Sequence, residues 1–191
     1  TSGFIGKSLK EHFGHTVHEY VRGTNITQHL QRVQPDVIIN CAGEIYDPAL
    51  MYETNVGLVH QILEWVKLNP YSRLIQIGSS AEYGPLPHPS SESDRINPVD
   101  VYQATKGAAS LMCQGYARQY GVQTCVARIY SGYGIHERPR RLFPTLYRAF
   151  FEGQPMTLYD GVHDFIYIDD FIRGIELLVS HAWPAGEIVN F

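Results

Sequence analysis

Ile75-Gln76-Ile77-Gly78-Ser79-Ser80, followed after a Pro-rich turn by Tyr102-Gln103-Ala104-Thr105-Lys106, is the stretch from which the fold is read. Arg73 to Gly78 has the pattern of a buried strand. Val101 to Tyr120 carries apolar or small residues at helical spacing with no proline among them, which predicts a helix. Tyr102 and Lys106 then share one face of that helix. A free phenol titrates near pH ~10, and an ammonium held beside it favours the phenolate, so the pair can act as a general acid/base near neutrality. Ser79, at the carboxyl end of the strand, can share a carbonyl or hydroxyl oxygen with that phenol. The chemistry this suits is proton transfer at a C–O group while hydride leaves or joins the carbon. In a chain with 13 tyrosines the Tyr-x-x-x-Lys spacing also arises by chance, so the order of elements around it carries the weight.

Outward from that stretch, strands alternate with helices. Asp36-Val37-Ile38-Ile39-Asn40-Cys41-Ala42-Gly43 is a continuous apolar run of the kind buried on both faces of a parallel sheet, ending in small residues. Gly14 to Arg22 reads as a strand, Thr27 to Gln34 as a short helix, Pro48 to Leu68 as one long helix, and Val122 to Ile129 as a further strand. A helix to Phe151 follows the arginines at 138, 140 and 141. The Asp residues of Tyr167-Ile168-Asp169-Asp170 open another helix, and Glu187 to Phe191 is a last strand. The pattern predicts an α/β fold, a doubly wound parallel sheet of Rossmann type with a small interleaved substrate-binding part.

Composition narrows the classes. A length of 191 residues with 44% hydrophobic content fits one sizeable globular domain, and a net charge of −4 argues against nucleic acid as the main partner. No apolar run approaches the ~20 residues that span a membrane. The three cysteines, Cys41, Cys113 and Cys125, lie in apolar patterns and read as buried thiols in a reducing compartment, hence a cytoplasmic protein. Nine histidines form no ligand-spaced cluster, so no metal is expected.

The chain begins Thr1-Ser2-Gly3-Phe4-Ile5-Gly6 and continues as a helical pattern to Phe13. This reads as the second half of a Gly-x-x-Gly-x-x-Gly dinucleotide turn, its glycines letting a pyrophosphate approach a helix N-terminus. The first strand and a C-terminal remainder look absent, so 1–191 is expected to be a single dinucleotide-binding domain truncated at both ends, with 131–165 contributing to the substrate-binding part.

Together with Ser79, Tyr102, Lys106 and Asp164-Phe165-Ile166-Tyr167-Ile168-Asp169-Asp170, this turn resembles the extended short-chain dehydrogenase/reductase family, within it the nucleotide-sugar epimerase/dehydratase group. The resemblance covers essentially the whole chain. It implies Ser79, Tyr102 and Lys106 as the catalytic set. It further implies a dinucleotide held by Gly3, Phe4, Ile5, Gly6, Arg22, Asn25, Ile26, Cys41, Ala42, Gly43 and Asn55 as well as Tyr102 and Lys106. The cofactor is NAD or NADP: Arg22 at a strand end suits a 2′-phosphate, whereas Glu19 would serve the NAD ribose. By the same resemblance Ser80, Glu82, Ser131, Arg141 and His163 face the substrate, a nucleotide sugar, and subunits pair as a homodimer through the helices 48–68 and 101–120. Leu111, Met112 and Tyr116 offer apolar area either for that contact or for the chain's own core.

Departures from the family pattern bear on the reaction. Dehydratases of the family carry an acid pair directly after the Ser/Thr position, because elimination of water needs one group to take a proton and another to protonate the leaving hydroxyl. Here those positions are Ser80 and Ala81, with Glu82 one residue beyond, either facing the substrate or simply a solvated loop carboxylate. Ser131 stands for a substrate-binding Asn, Ile135 for a Pro, and His163 for an Arg on the diphosphate. The expectation is therefore an NAD(P)-dependent epimerase or reductase at a keto or hydroxyl carbon of a nucleotide sugar. The alternatives are a 4,6-dehydratase and a non-catalytic dinucleotide sensor of the same fold.

Overall fold

Four parallel strands form the central sheet of the computed structural model, which describes residues 3–158, 161 and 163–191. They are β1 (Val37–Asn40), β2 (Arg73–Ser79), β3 (Thr124–Ile129) and β6 (Glu187–Asn190), in the order β1-β2-β3-β6. Register puts Ile39 beside Ile75, Gly78 beside Arg128, and Arg128 beside Asn190. A second, two-stranded parallel sheet joins β4 (Ser131–Tyr133) to β5 (Phe165–Tyr167) at the carboxyl side of the first.

Side chains alternate across β2 and β3, and each sheet face buries its own core. Leu74 and Val126 pack with α2 (Ile26–Val33), α4 (Leu58–Leu68) and α5 (Val101–Tyr120) on one face. On the other, Ile75, Ile77 and Ala127 meet Leu9 of α1 (Phe4–Phe13) and Phe171 and Ile175 of α7 (Ile168–Ser180). The doubly wound, Rossmann-like architecture follows from strands that are apolar on both faces. The thiols of Cys113 and Cys125 are buried and that of Cys41 is half-buried, all three unpaired with one another. Among the described residues, no helix is long and apolar enough to cross a membrane.

Two elements depart from the expectation. Gly14 to Arg22 is not a strand: Gly14–Thr16 forms a 3-10 turn and the segment after it joins no sheet. Its side chains are anchored locally instead, Glu19 in an ion pair with Lys10 and the Tyr20 hydroxyl donating to the Thr24 carbonyl at 2.6 Å. Pro48 to Leu68 is helical throughout but not one α-helix. Between α3 (Pro48–Tyr52) and α4, residues Glu53–Gly57 form a π-turn, which shifts the side chains that follow and is common at functional sites.

Gly78 is the tightest point of the sheet near its carboxyl end. A Cβ there would lie 2.8 Å from Glu82 Oε1, 2.9 Å from Val126 Cγ1 and 3.0 Å from Arg128 Cγ. Gly78→Ala is expected to lower stability by about 1–3 kcal/mol, the usual cost of overpacking a core. A denaturant midpoint equal to the parent's would contradict this packing.

Candidate functional site

The site is built at the carboxyl end of β2. Ser79 ends the strand and starts a 3-10 turn over Ser80–Tyr83, whose first amides it caps, with its Oγ accepting from the Ala81 amide at 3.2 Å. Glu82 returns the favour, its Oε1 accepting from the Ser79 amide at 2.8 Å. The Ser79-Ser80-Ala81-Glu82 spacing is that of a capping box. Opposite this turn, Asp100 caps α5 by accepting from the Gln103 amide at 2.8 Å, and Tyr102 and Lys106 follow within the first two turns.

The three residues singled out from sequence do converge. Burial raises the Tyr102 phenol above its ordinary value, and the nearby Ser79 side chain partly offsets that, while the charge of Glu82 adds to the rise and that of Arg141 opposes it. Lys106 is buried, and loss of hydration lowers its ammonium below the usual lysine value, against the raising charge of Glu82. Its Nζ donates to the Ile77 carbonyl at 2.5 Å. This corrects the expectation that the ammonium pulls the phenol down. Desolvation dominates, so Tyr102 is a protonated donor at neutral pH.

Glu82 departs furthest from its expected place. Its carboxylate is fully buried, neither solvated nor open to a substrate. Oε2 accepts from Ser110 Oγ at 2.6 Å and from Arg128 Nε at 2.9 Å. Arg128, 1% exposed, lies with its guanidinium 4.4 Å from the Tyr83 ring, and Tyr83 donates to Asn190 Oδ1 at 2.9 Å. Sequence reading missed Arg128 and Ser110. The available signals were an arginine inside the apolar run of β3 and the Ser-x-x-Glu spacing of the turn.

On the dinucleotide side, Gly3 is the N-cap of α1, makes no side-chain cap, and a Cβ on it would meet nothing within 4 Å. Phe4 and Ile5 pack on the same core as Ile39 and Cys41, so α1 and β1 contribute to one face of the sheet. An uncapped helix N-terminus with open space beside it fits a pyrophosphate. Asn55, in the π-turn and buried, accepts from the Glu44 amide at 2.8 Å and donates to the Glu44 carbonyl at 2.9 Å and to Thr105 Oγ1 at 3.0 Å. It thereby ties the β1 loop to α5. Glu44 is held down to about 2, first by the Tyr46 amide and then by those of Asp47 and Ile45 and by Arg22.

Arg22 is engaged there, donating to Glu44 Oε2 at 3.2 Å and Thr54 Oγ1 at 3.0 Å, so it gives no support to the lean toward a 2′-phosphate. Asn25 caps α2 by accepting from the Gln28 amide at 3.0 Å, and Ile26 is 5% exposed in the core.

Ser131 sits in β4 with its amide bonded to the Asp164 carbonyl at 3.0 Å. Tyr133 stacks on Phe143 of α6 (Leu142–Glu152) with centroids 4.0 Å apart, and Phe165 packs edge-on to both rings. His163 is exposed, its ring 5.9 Å from that of Phe165. Arg138 lies 5.0 Å from the Tyr46 ring, and Arg141 is half-exposed with its Nε 3.4 Å from Glu137.

The chain and its fold have counterparts in known proteins. A dTDP-glucose 4,6-dehydratase of Streptomyces griseus is 26% identical over 189 residues, which are 93% of this chain and 57% of that enzyme. The structure of a dTDP-glucose 4,6-dehydratase from Bacillus anthracis in complex with NAD superposes with a TM-score of 0.85 at 22% identity, covering all of this chain and 72% of that one, and so shares its fold. UDP-glucuronic acid 4-epimerase from Bacillus cereus, in complex with UDP-glucuronic acid and NAD, gives a TM-score of 0.78 at 27% identity over 91% of this chain and 58% of its own. The chain thus spans somewhat more than half the length of the curated relative. The family model for NAD-dependent epimerases and dehydratases matches residues 2–191, and the chain belongs to that family.

Proposed function

We propose that this chain carries the cofactor site and reacting groups of an NAD-dependent enzyme that epimerises, or else reduces, a keto or hydroxyl carbon of a nucleotide sugar. The observation that carries the reading is the convergence of Ser79 and Tyr102 at the carboxyl end of β2, with buried Lys106 one helical turn further along the same face and its Nζ donating to the Ile77 carbonyl at 2.5 Å. A phenol kept protonated by burial is suited to donate to a developing alkoxide at a carbonyl carbon. Ser79 holds the oxygen that receives the proton, and Lys106 supplies a fixed positive charge beneath the pair. NAD, when bound, supplies the hydride acceptor and donor. Gly3 to Gly6 and Cys41 to Gly43 would hold it, with Lys106 toward its ribose. Relatives of both epimerase and dehydratase type are similar to the chain, and the epimerase complex with UDP-glucuronic acid supports a nucleotide sugar as substrate.

Dehydration ranks below epimerisation because Ser80 and Ala81 bring no acid to the positions after Ser79, and Glu82 spends its carboxylate on Ser79, Ser110 and Arg128. A sensor without turnover ranks lower still, since Ser79, Tyr102 and Lys106 are all present. For the substrate-binding part we assign 131–165, with Ser131, Arg141 and His163 toward the diphosphate sugar. A homodimer through α3, α4 and α5 is supported by the exposure of Leu50, Leu111 and Tyr120, whereas Met112 and Tyr116 pack inward.

Tyr102→Phe is expected to lower turnover by about 10²-fold or more while cofactor affinity, followed by fluorescence titration, stays near the parent's. Unchanged kcat would defeat the assignment. Lys106→Met removes the ammonium placed toward the cofactor's ribose, so cofactor affinity in the same titration is expected to fall by about tenfold or more, the usual worth of a hydrogen bond to a charged group. Affinity equal to the parent's would count against it.

With a panel of UDP- and dTDP-sugars, the product is expected to keep the substrate's mass, or gain two hydrogens with stoichiometric loss of reduced cofactor. A product lighter by one water would return the dehydratase to first place. Sedimentation at micromolar concentration is expected to give a dimer, and a monomer there would remove the helix-pair interface.

A further inference from the structure

We propose that the buried Glu82–Arg128 pair is the positioning element of the site, holding the Ser79 hydroxyl against Tyr102 by clamping the end of β2 to α5 and β3. The proposal rests on the reading of Ser79, Tyr102 and Lys106 as the reacting set. Its first support is geometric. One carboxylate receives the Ser79 amide through Oε1, and Ser110 of α5 and Arg128 of β3 through Oε2, so the turn bearing Ser79 and the helix bearing Tyr102 are referred to one rigid group. Arg128 in turn lies over the Tyr83 ring, and Tyr83 reaches Asn190 of β6, extending the clamp across the sheet.

The second support is energetic. Enclosing an ion pair usually stabilises a fold no better than apolar residues of the same volume would. Here the arrangement also leaves Arg128 Nη1 buried without a hydrogen-bond partner among the described residues. A fold seeking stability alone has no need of such a pair, and this one lies directly beneath Ser79. The charge has a second effect. Ser110 of α5 and Arg128 of β3 bond Glu82, its charge acts on Lys106, Tyr102 and Cys113 of α5, and Tyr83 of its own turn lies against Arg128. Among them the Glu82 charge raises both Tyr102 and Lys106, adding to the effect of burial at the phenol and opposing it at the ammonium, while Arg141 and Asp100 act on Tyr102 in opposite directions.

The test uses Glu82→Gln, the charge-free double variant Glu82→Gln/Arg128→Met, and Ser110→Ala, with ¹³C-labelled tyrosine and Tyr102→Phe to identify the Tyr102 signal. In the two Glu82 variants the Tyr102 titration should move to lower pH and kcat fall by about 10²-fold, the scale of a misplaced reacting group, with KM within about threefold. Substitution for stability alone would leave the titration and the KM-against-kcat split unmoved. If both Glu82 variants fail to fold, Ser110→Ala decides, since alanine suits a helix and withdraws one donor from the clamp; kcat should fall at least about threefold. A folded variant with parental kcat and parental Tyr102 titration overturns the proposal. Because the titration is read without turnover, a shifted Tyr102 signal beside a Tyr102→Phe that stays active would refute the assigned chemistry and leave the clamp standing.

Discussion

The carboxylate of Glu82 is the point on which the carboxyl end of the sheet depends. A charge taken out of water is tolerated only when donors surround it, and Ser79, Ser110 and Arg128 supply them from three different elements. The requirement works in both directions: the charge gathers its donors, and the gathered donors fix where β2 stops, how the 3-10 turn leaves it, and how α5 leans on β3. Gly78 belongs to the same constraint, since only the absence of a side chain lets Glu82, Val126 and Arg128 close around it.

A second junction works by similar means on the cofactor side. Asn55 uses both ends of its amide, joining the amide and carbonyl of Glu44 to Thr105 of α5. The π-turn carries it out of the register that an unbroken α-helix would give. Glu44 is then wrapped by the amides of the loop it opens and by Arg22. The two junctions meet on α5, which carries Thr105 for one, Ser110 for the other, and Tyr102 and Lys106 between and beside them.

Electrostatics at the centre differs from the simple picture of a lysine activating a tyrosine. Burial raises the phenol and lowers the ammonium, so each is displaced toward its neutral form, and Lys106 directs its proton to the Ile77 carbonyl.

The sequence by itself determined the alternation of strands and helices, both faces of the core, the bounds of α5 and the family, and it singled out Ser79, Tyr102 and Lys106, which the fold brings to the carboxyl end of β2. These depend on local periodicity and on motifs whose spacing is short along the chain. The strand expected at Gly14 to Arg22 failed because extended backbone becomes a strand only with a partner, and among the described residues this segment has none. The role of Arg22 turned on Glu44 and Thr54. Glu82, expected either to face the substrate or to be a solvated loop carboxylate, does neither, although its capping-box spacing is visible, because its burial depends on Ser110 and Arg128 lying 28 and 46 residues away. Only the tertiary structure decided where those charges went, since the cost of burying a charge is settled by the donors that packing brings around it and not by its neighbours in the chain.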